Sequence, residues 1–397
     1  MNYNQIQISP FHSASGEERY LLSNGNNFYE TGAPLVDLLM ALQRNPIENL
    51  AIEEYIALSG GKYTHSQIKN VIEKHIAPLF VDKPKKRTFL YERELLDAGK
   101  IDSFSDKLSF LFSPVAMTAV FAIGLLLDIY YFATASNLLV FNNSAGLYTI
   151  GFLLAFAVFS SFFHELGHAA ACKHFGIKHG AIGFGLYLNF PVLYTDVTRV
   201  WTLERRQRCV VNIAGVYFQF LLLIPILGVL LLTGNDICRY IVLIMNLGLV
   251  MTLNPFFKFD GYWLMTDILG VANLRQRSNE LLGYLFAKIR RAEITKTPYL
   301  LTLKPVAKIG FLVYSLIVNV FMGYYFLYII PKFLYGFITE FPHQIQQLVI
   351  FTASRVSVPF SLIRNIGSQL LFFALIAYMI WNIVKSLKKK ENAQTIK

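Results

Sequence analysis

LYTIGFLLAFAVFSSFFHELGHAAACK, residues 147–173, is a long apolar run with three ionisable side chains set inside it, His164, Glu165 and His168. It is long enough to cross the roughly 30 Å hydrocarbon core of a bilayer, which takes about 20 residues of helix. Ionisable groups are costly there and mark a functional site by default. Histidines at i and i+4 fall on one helical face, about 6 Å apart along the axis, so both imidazoles can reach one zinc ion. Glu165, offset by one residue, stands beside water at such an ion without being a ligand, where it can act as general base and then proton donor. The competing reading is that membrane histidines simply hydrogen-bond a neighbouring helix. Three ionisable groups in five positions fit a shared metal better.

Composition agrees with the membrane reading. Of the 397 residues, 54% are hydrophobic and only 15% charged, with a mean hydropathy of +0.45. Soluble domains carry roughly a quarter of their residues as charges, so a soluble enzyme, a disordered chain and a coiled coil are poor fits. Apolar stretches near 111–133, 147–173, 210–233, 238–257, 306–330 and 358–384 predict an all-α polytopic protein with six spans. Lys and Arg number five in 176–209, eight in 258–305 and five in 385–397, against none in 134–146, none in 234–237 and two in 331–357. That asymmetry predicts a multi-pass cell-membrane protein with both termini cytosolic. It also accounts for the net charge of +11 without nucleic acid as a partner. Cys172, Cys209 and Cys238 are too few and too scattered for a disulfide framework.

Residues 1–82 read as a small cytosolic α+β domain. ERYLLSNGNNFYETG carries the turn-prone Asn24-Gly25-Asn26, and helical patterns follow near 33–44, 48–59 and 64–80. Thr64 and Gln67 have the spacing of a capping box. Residues 83–110 read as a charged linker, 111–384 as the membrane domain, and 385–397 as a basic cytosolic tail. Ile182, Phe184, Leu186, Leu188 and Phe190 alternate with smaller or polar residues, which predicts a short membrane-associated strand just after the histidine-bearing helix. Such a strand can pair with an extended substrate or form an ordinary hairpin.

A tetrahedral catalytic zinc needs a third protein ligand and one open position. Cys172 lies too far along the helix from His164, and His174 and His179 sit at or past its cytosolic end. Asp260, in NPFFKFDGYW (254–263), follows a helix stopped by Asn254-Pro255 and falls towards the same leaflet as the histidines. It is the better candidate, with a solvated loop charge or a helix cap as its competing reading.

HELGH on one membrane helix, followed by NPFFKFDGYW, resembles the site-2 protease family of intramembrane zinc metalloproteases. The resemblance covers roughly 110–330 and includes the stretch YTDVTRVWTLERRQRCVVNIAGVYFQ. It implies that His164, His168 and Asp260 bind zinc, that Glu165 activates water, and that Asn254 helps hold the substrate. Four residues separate Pro255 from Asp260 here, where the compact bacterial form has Asn-Pro-Asp-Gly contiguous. Residues 176–209 are too few for the PDZ-like insertion of many relatives. The strand and helix order of residues 1–82 is similar to the winged-helix peptide-recognition element of enzymes that modify ribosomally made peptides. Together the resemblances imply a zinc endopeptidase that cuts a peptide or a membrane-anchored protein near the cytosolic leaflet. The alternative is a non-enzymatic peptide-binding, immunity or export-accessory protein with a structural zinc site. Glu165 argues against it, since structural zinc has no use for a base.

Overall fold

The computed structural model describes residues 1–25, 27–80, 89, 91–135, 147–187, 190–291 and 298–395. Part of the predicted Asn24-Gly25-Asn26 turn, and the DKPKKR start of the predicted linker, lie outside the described residues. The chain divides into two compact units, one made of residues 1–88, 92–185 and 192–312, the other of 89–91, 186–191 and 313–397.

The first unit begins with strands β1 (Gln7–Pro10), β2 (Arg19–Asn24) and β3 (Asn27–Gly32), an antiparallel sheet in the order β1-β2-β3. Helices α1 (Ala33–Arg44) and α2 (Glu48–Leu58) follow where the sequence predicts them, and α3 (His65–Val71) begins as predicted but gives way to a π turn (Ile72–Ile76) and a 3-10 turn (Ala77–Leu79). The Thr64 capping box forms: Thr64 Oγ1 accepts from the Gln67 N–H and Gln67 Oε1 accepts from the Thr64 N–H. Leu22, Leu39, Ile52 and Ile76 are fully buried in a core of the domain's own. This small domain is joined to the rest of the unit by main-chain bonds. Ala14 N–H donates to Gly270, Gly16 N–H to Thr302, and Lys304 N–H to Ala14.

Of the stretch expected to be a linker, residues 92–108 are folded. Strand β4 (Glu92–Leu96) and helix α4 (Ala98–Leu108) occupy them. Asp102 of α4 pairs with Lys173, which holds its carboxyl below the usual range. The span helices then begin. Helix α5 (Pro114–Thr134) starts at a Ser113 cap, and α6 (Leu147–His174) carries HELGH. Strands β5 (Ile182–Tyr187) and β6 (Phe190–Thr195) complete a second sheet in the order β4-β5-β6, with β4 antiparallel to β5. Helix α7 (Arg205–Thr233) is followed by α8 (Asp236–Thr252), α9 (Asp260–Leu269) and α10 (Leu274–Ile289). Half of the most apolar window of α7 is buried in protein, against 11% for α5 and 28% for α6, so α7 is the centre on which α5, α6, α8 and α9 pack.

Helices α11 (Pro305–Tyr324), α12 (Ile330–Ala353) and α13 (Phe360–Thr395) follow. A single π turn joins α11 to α12. The sequence ends this span near 330, where Pro331 and Lys332 follow, yet the helix runs to Ala353, because Pro331 falls in the first turn of α12, where a missing N–H costs least. In the second unit, Phe333 packs on Phe372 and Phe337 on Phe373. Among the described residues five helices are long and apolar enough to cross a membrane: α5, α6, α7, the run Pro305–Ala353, and Ser361–Tyr378 within α13. The predicted span at 238–257 corresponds to α8, which has only 17 residues.

Candidate metal centre

Two helices bring three acceptor atoms to one point. His164 and His168 project from successive turns of α6, with their Nε2 atoms 3.2 Å apart. Asp260, the first residue of α9, places Oδ2 2.9 Å from His164 Nε2 and 3.1 Å from His168 Nε2. Among the described residues this is the one group of three His, Cys, Asp or Glu side chains close enough to hold an ion. The loop before Asp260 is shaped by Asn254, whose side-chain oxygen accepts from the Phe256 N–H at 2.8 Å. Helix α9 is then clamped to α7, since Asp267 accepts from Arg208 Nε at 2.6 Å and from Asn212 Nδ2 at 2.7 Å. Phe11 and Trp201 pack against the same guanidinium.

The hydrogen bonds around the trio state what it can hold. His168 Nδ1 lies 2.8 Å from the Val211 carbonyl and must donate to it, which leaves Nε2 as a lone pair in the neutral ring. That lone pair faces a second imidazole nitrogen and a carboxylate oxygen. Three converging acceptors repel unless a cation, a proton or a metal, sits among them. Tetrahedral zinc with bonds of about 2.0–2.1 Å spaces its ligand atoms about 3.3–3.4 Å apart, so the triangle accepts zinc with a small expansion.

Glu165 is buried and lies outside the trio. Its Oε2 accepts from Thr195 Oγ1 at 2.8 Å, and its main-chain oxygen lies 3.0 Å from the same hydroxyl. Of the other residues considered, Cys172 is buried among apolar side chains. His174 reaches the Ser109 carbonyl, and His179 is held by Gly180 and Ser105. The main-chain contact of Val211 and the hydroxyl of Thr195 have no signature in the sequence. Gly215, which by residue type fits close helix packing, lies against the His164 ring.

Over 110 residues the chain is 26% identical to a Bacillus subtilis (strain 168) protein named "Putative peptide zinc metalloprotease protein YydH". The matched region is 27% of this chain and 44% of the relative, so the chain aligns with less than half of that protein's length. No protein-family model matches the chain, and no solved structure does.

Proposed function

We propose that the chain is a six-span intramembrane zinc endopeptidase of the site-2 type, with both termini cytosolic and α8 as its short fourth span. The observation that carries this reading is the convergence of His164, His168 and Asp260 acceptor atoms within 2.9–3.2 Å, with the buried carboxylate of Glu165 on the adjoining residue. A bound zinc would supply a Lewis acid that polarises the scissile carbonyl and acidifies water. Glu165 takes the proton from the attacking water and returns it to the leaving amine. His164, His168 and Asp260 hold the ion, and Asn254 contributes to substrate binding from the loop that leads to Asp260. The relative's name, peptide zinc metalloprotease, points the same way.

The substrate class we favour is a ribosomally made peptide. In support, the N-terminal domain has a three-stranded sheet followed by three helices, the element order of a winged-helix peptide-recognition module. Among the described residues strand β3 pairs on one side only, with β2, an edge to which a leader peptide can add as a further strand. Strand β6, at the end of its sheet, terminates at the residue that contacts Glu165.

The test is a mass-spectrometric comparison of peptides and small proteins in cells expressing the wild-type chain or Glu165→Gln, with zinc measured in both purified proteins. The proposal expects equal zinc and an uncut precursor that accumulates only with the variant. Equal zinc with identical peptide profiles would make the chain a binding protein instead.

A further inference from the structure

A buried carboxylate on a membrane helix needs a hydrogen-bond donor, and a base needs a fixed direction. The backbone of α6 fixes the Cα of Glu165, but its side chain has three further torsions. Among the described residues, Thr195 is the one side chain that hydrogen-bonds the Glu165 carboxylate, at 2.8 Å to Oε2. Its single hydroxyl proton faces two acceptors that both belong to Glu165, the carboxylate and the main-chain oxygen at 3.0 Å. The hydroxyl therefore ties the carboxylate back against its own turn of helix and engages one oxygen, leaving Oε1 for the reaction.

Thr195 is suited to this by its own setting. A β-branched residue has restricted χ1, and Thr195 is the last residue of β6. Immediately after it the chain is anchored: Gly180 N–H donates to the Asp196 carbonyl at 2.7 Å, and Asp196 N–H to Ala181 at 3.2 Å. The Asp196 carboxylate in turn accepts from the Thr198 main chain and hydroxyl. The strand end is thus held immediately past the hydroxyl.

We propose that Thr195 is the positioning residue for Glu165, an inference that rests on the protease reading above. It acts through Glu165 and is not among the three candidate ligands. Losing it leaves the three ligands in place while the carboxylate swings away from its working direction.

The experiment uses the full chain in detergent as wild type, Thr195→Val, Thr195→Ala, Thr195→Ser and Glu165→Gln, each loaded with zinc or with cobalt. Acetohydroxamate is the probe. It chelates the metal through two oxygens and shares its proton with an adjacent carboxylate, so its affinity, read from the cobalt visible spectrum, reports where Glu165 points. Expected results are full metal content in every variant and acetohydroxamate binding weakened about tenfold in Thr195→Val and in Glu165→Gln. Cleavage of the accumulated precursor by Thr195→Val should show kcat lowered about tenfold to a hundredfold with KM unchanged. Thr195→Ser should restore both readouts. Thr195→Ala carries the same expectation as Thr195→Val should the added methyl of Val disturb folding. Wild-type probe affinity in Thr195→Val or Thr195→Ala, beside weakened affinity in Glu165→Gln, would overturn the positioning role and leave the protease reading standing. Wild-type probe binding and precursor processing in Glu165→Gln would overturn the protease reading itself, and this inference with it.

Discussion

Gly215 on α7 faces the ring of His164 on α6 so closely that a Cβ at position 215 would lie 2.3 Å from the ring's Cε1 and Nε2 atoms. His164 Nδ1 is buried and has no partner among the described residues, so packing rather than a hydrogen bond sets this ring's direction. His168 is oriented differently, by the Val211 carbonyl one turn earlier on α7. A single helix therefore aims both imidazoles. Gly215→Ala is expected to turn His164 away and lower zinc affinity by about 10–100-fold, the cost usual for losing a ligand's support. Competition with a zinc-chelating dye measures it, and a circular dichroism spectrum matching wild type would show that the helices persist.

The ligand set itself makes a second prediction. His168→Ala and Asp260→Ala each remove one corner of the trio and should abolish stoichiometric zinc, whereas Glu165→Gln should keep it, because Glu165 lies outside the trio. Stripping zinc from the wild-type protein with a strong chelator should lower its melting temperature, since three acceptors are then left facing one another. The same treatment should leave the melting temperature of Asp260→Ala unchanged. Elemental analysis and thermal unfolding before and after chelation decide both points.

Asp260 owes its position to a contact two turns along its helix. Arg208 and Asp267 form an ion pair whose side chains are 3% and 6% exposed, and Asn212 adds a second donor to the same carboxylate. Removing one member of a buried pair leaves the other uncompensated, at a cost of about 3–5 kcal/mol. Arg208→Met should therefore lower the unfolding midpoint sharply and weaken zinc binding, because α9 loses its clamp. Asp267→Asn keeps a hydrogen-bonding side chain opposite Arg208 and Asn212 and should cost less. Thermal unfolding of the two variants side by side, with zinc content, is the check.

The site was legible wherever its chemistry follows local spacing, and hidden wherever it follows tertiary contact. His164 and His168 share one face of a helix, so their spacing alone brings the two imidazoles together. Asp260, 92 residues beyond His168, was reachable because Asn254-Pro255 stops one helix just before it. Thr195 and Val211 were not, since a single hydroxyl and a main-chain carbonyl carry no residue-type signal. Strand β4 was missed for a related reason: Glu92, Arg93, Glu94 and Leu95 are exposed, so the strand has no apolar face to betray it and exists by pairing with β5. The helices of the N-terminal domain do bury one face each; α1 and α2 end within a residue of the predicted limits, while the third, expected over 64–80, leaves α geometry after Val71 for a π turn and then a 3-10 turn.

The N-terminal domain is tied to the site-bearing part by main-chain bonds, which side-chain truncation cannot break. Gly16 N–H donates to the Thr302 carbonyl at 2.8 Å, flanked by Ala14 N–H to Gly270 at 2.9 Å and Lys304 N–H to Ala14 at 3.1 Å. Proline at position 16 removes the central donor outright, and each such bond contributes about 0.5–1.5 kcal/mol net. Gly16→Pro should therefore raise hydrogen exchange at Ala14 and Lys304 while the amides of α1 and α2, which close their own core around Leu39 and Ile52, keep wild-type protection. Zinc content should not change, because none of the ligands touches this junction. If the domain captures substrate as proposed, the same variant should process precursor more slowly through a raised KM, with kcat at its wild-type value. A fall in kcat alone would mean that the junction supports the metal site rather than substrate delivery.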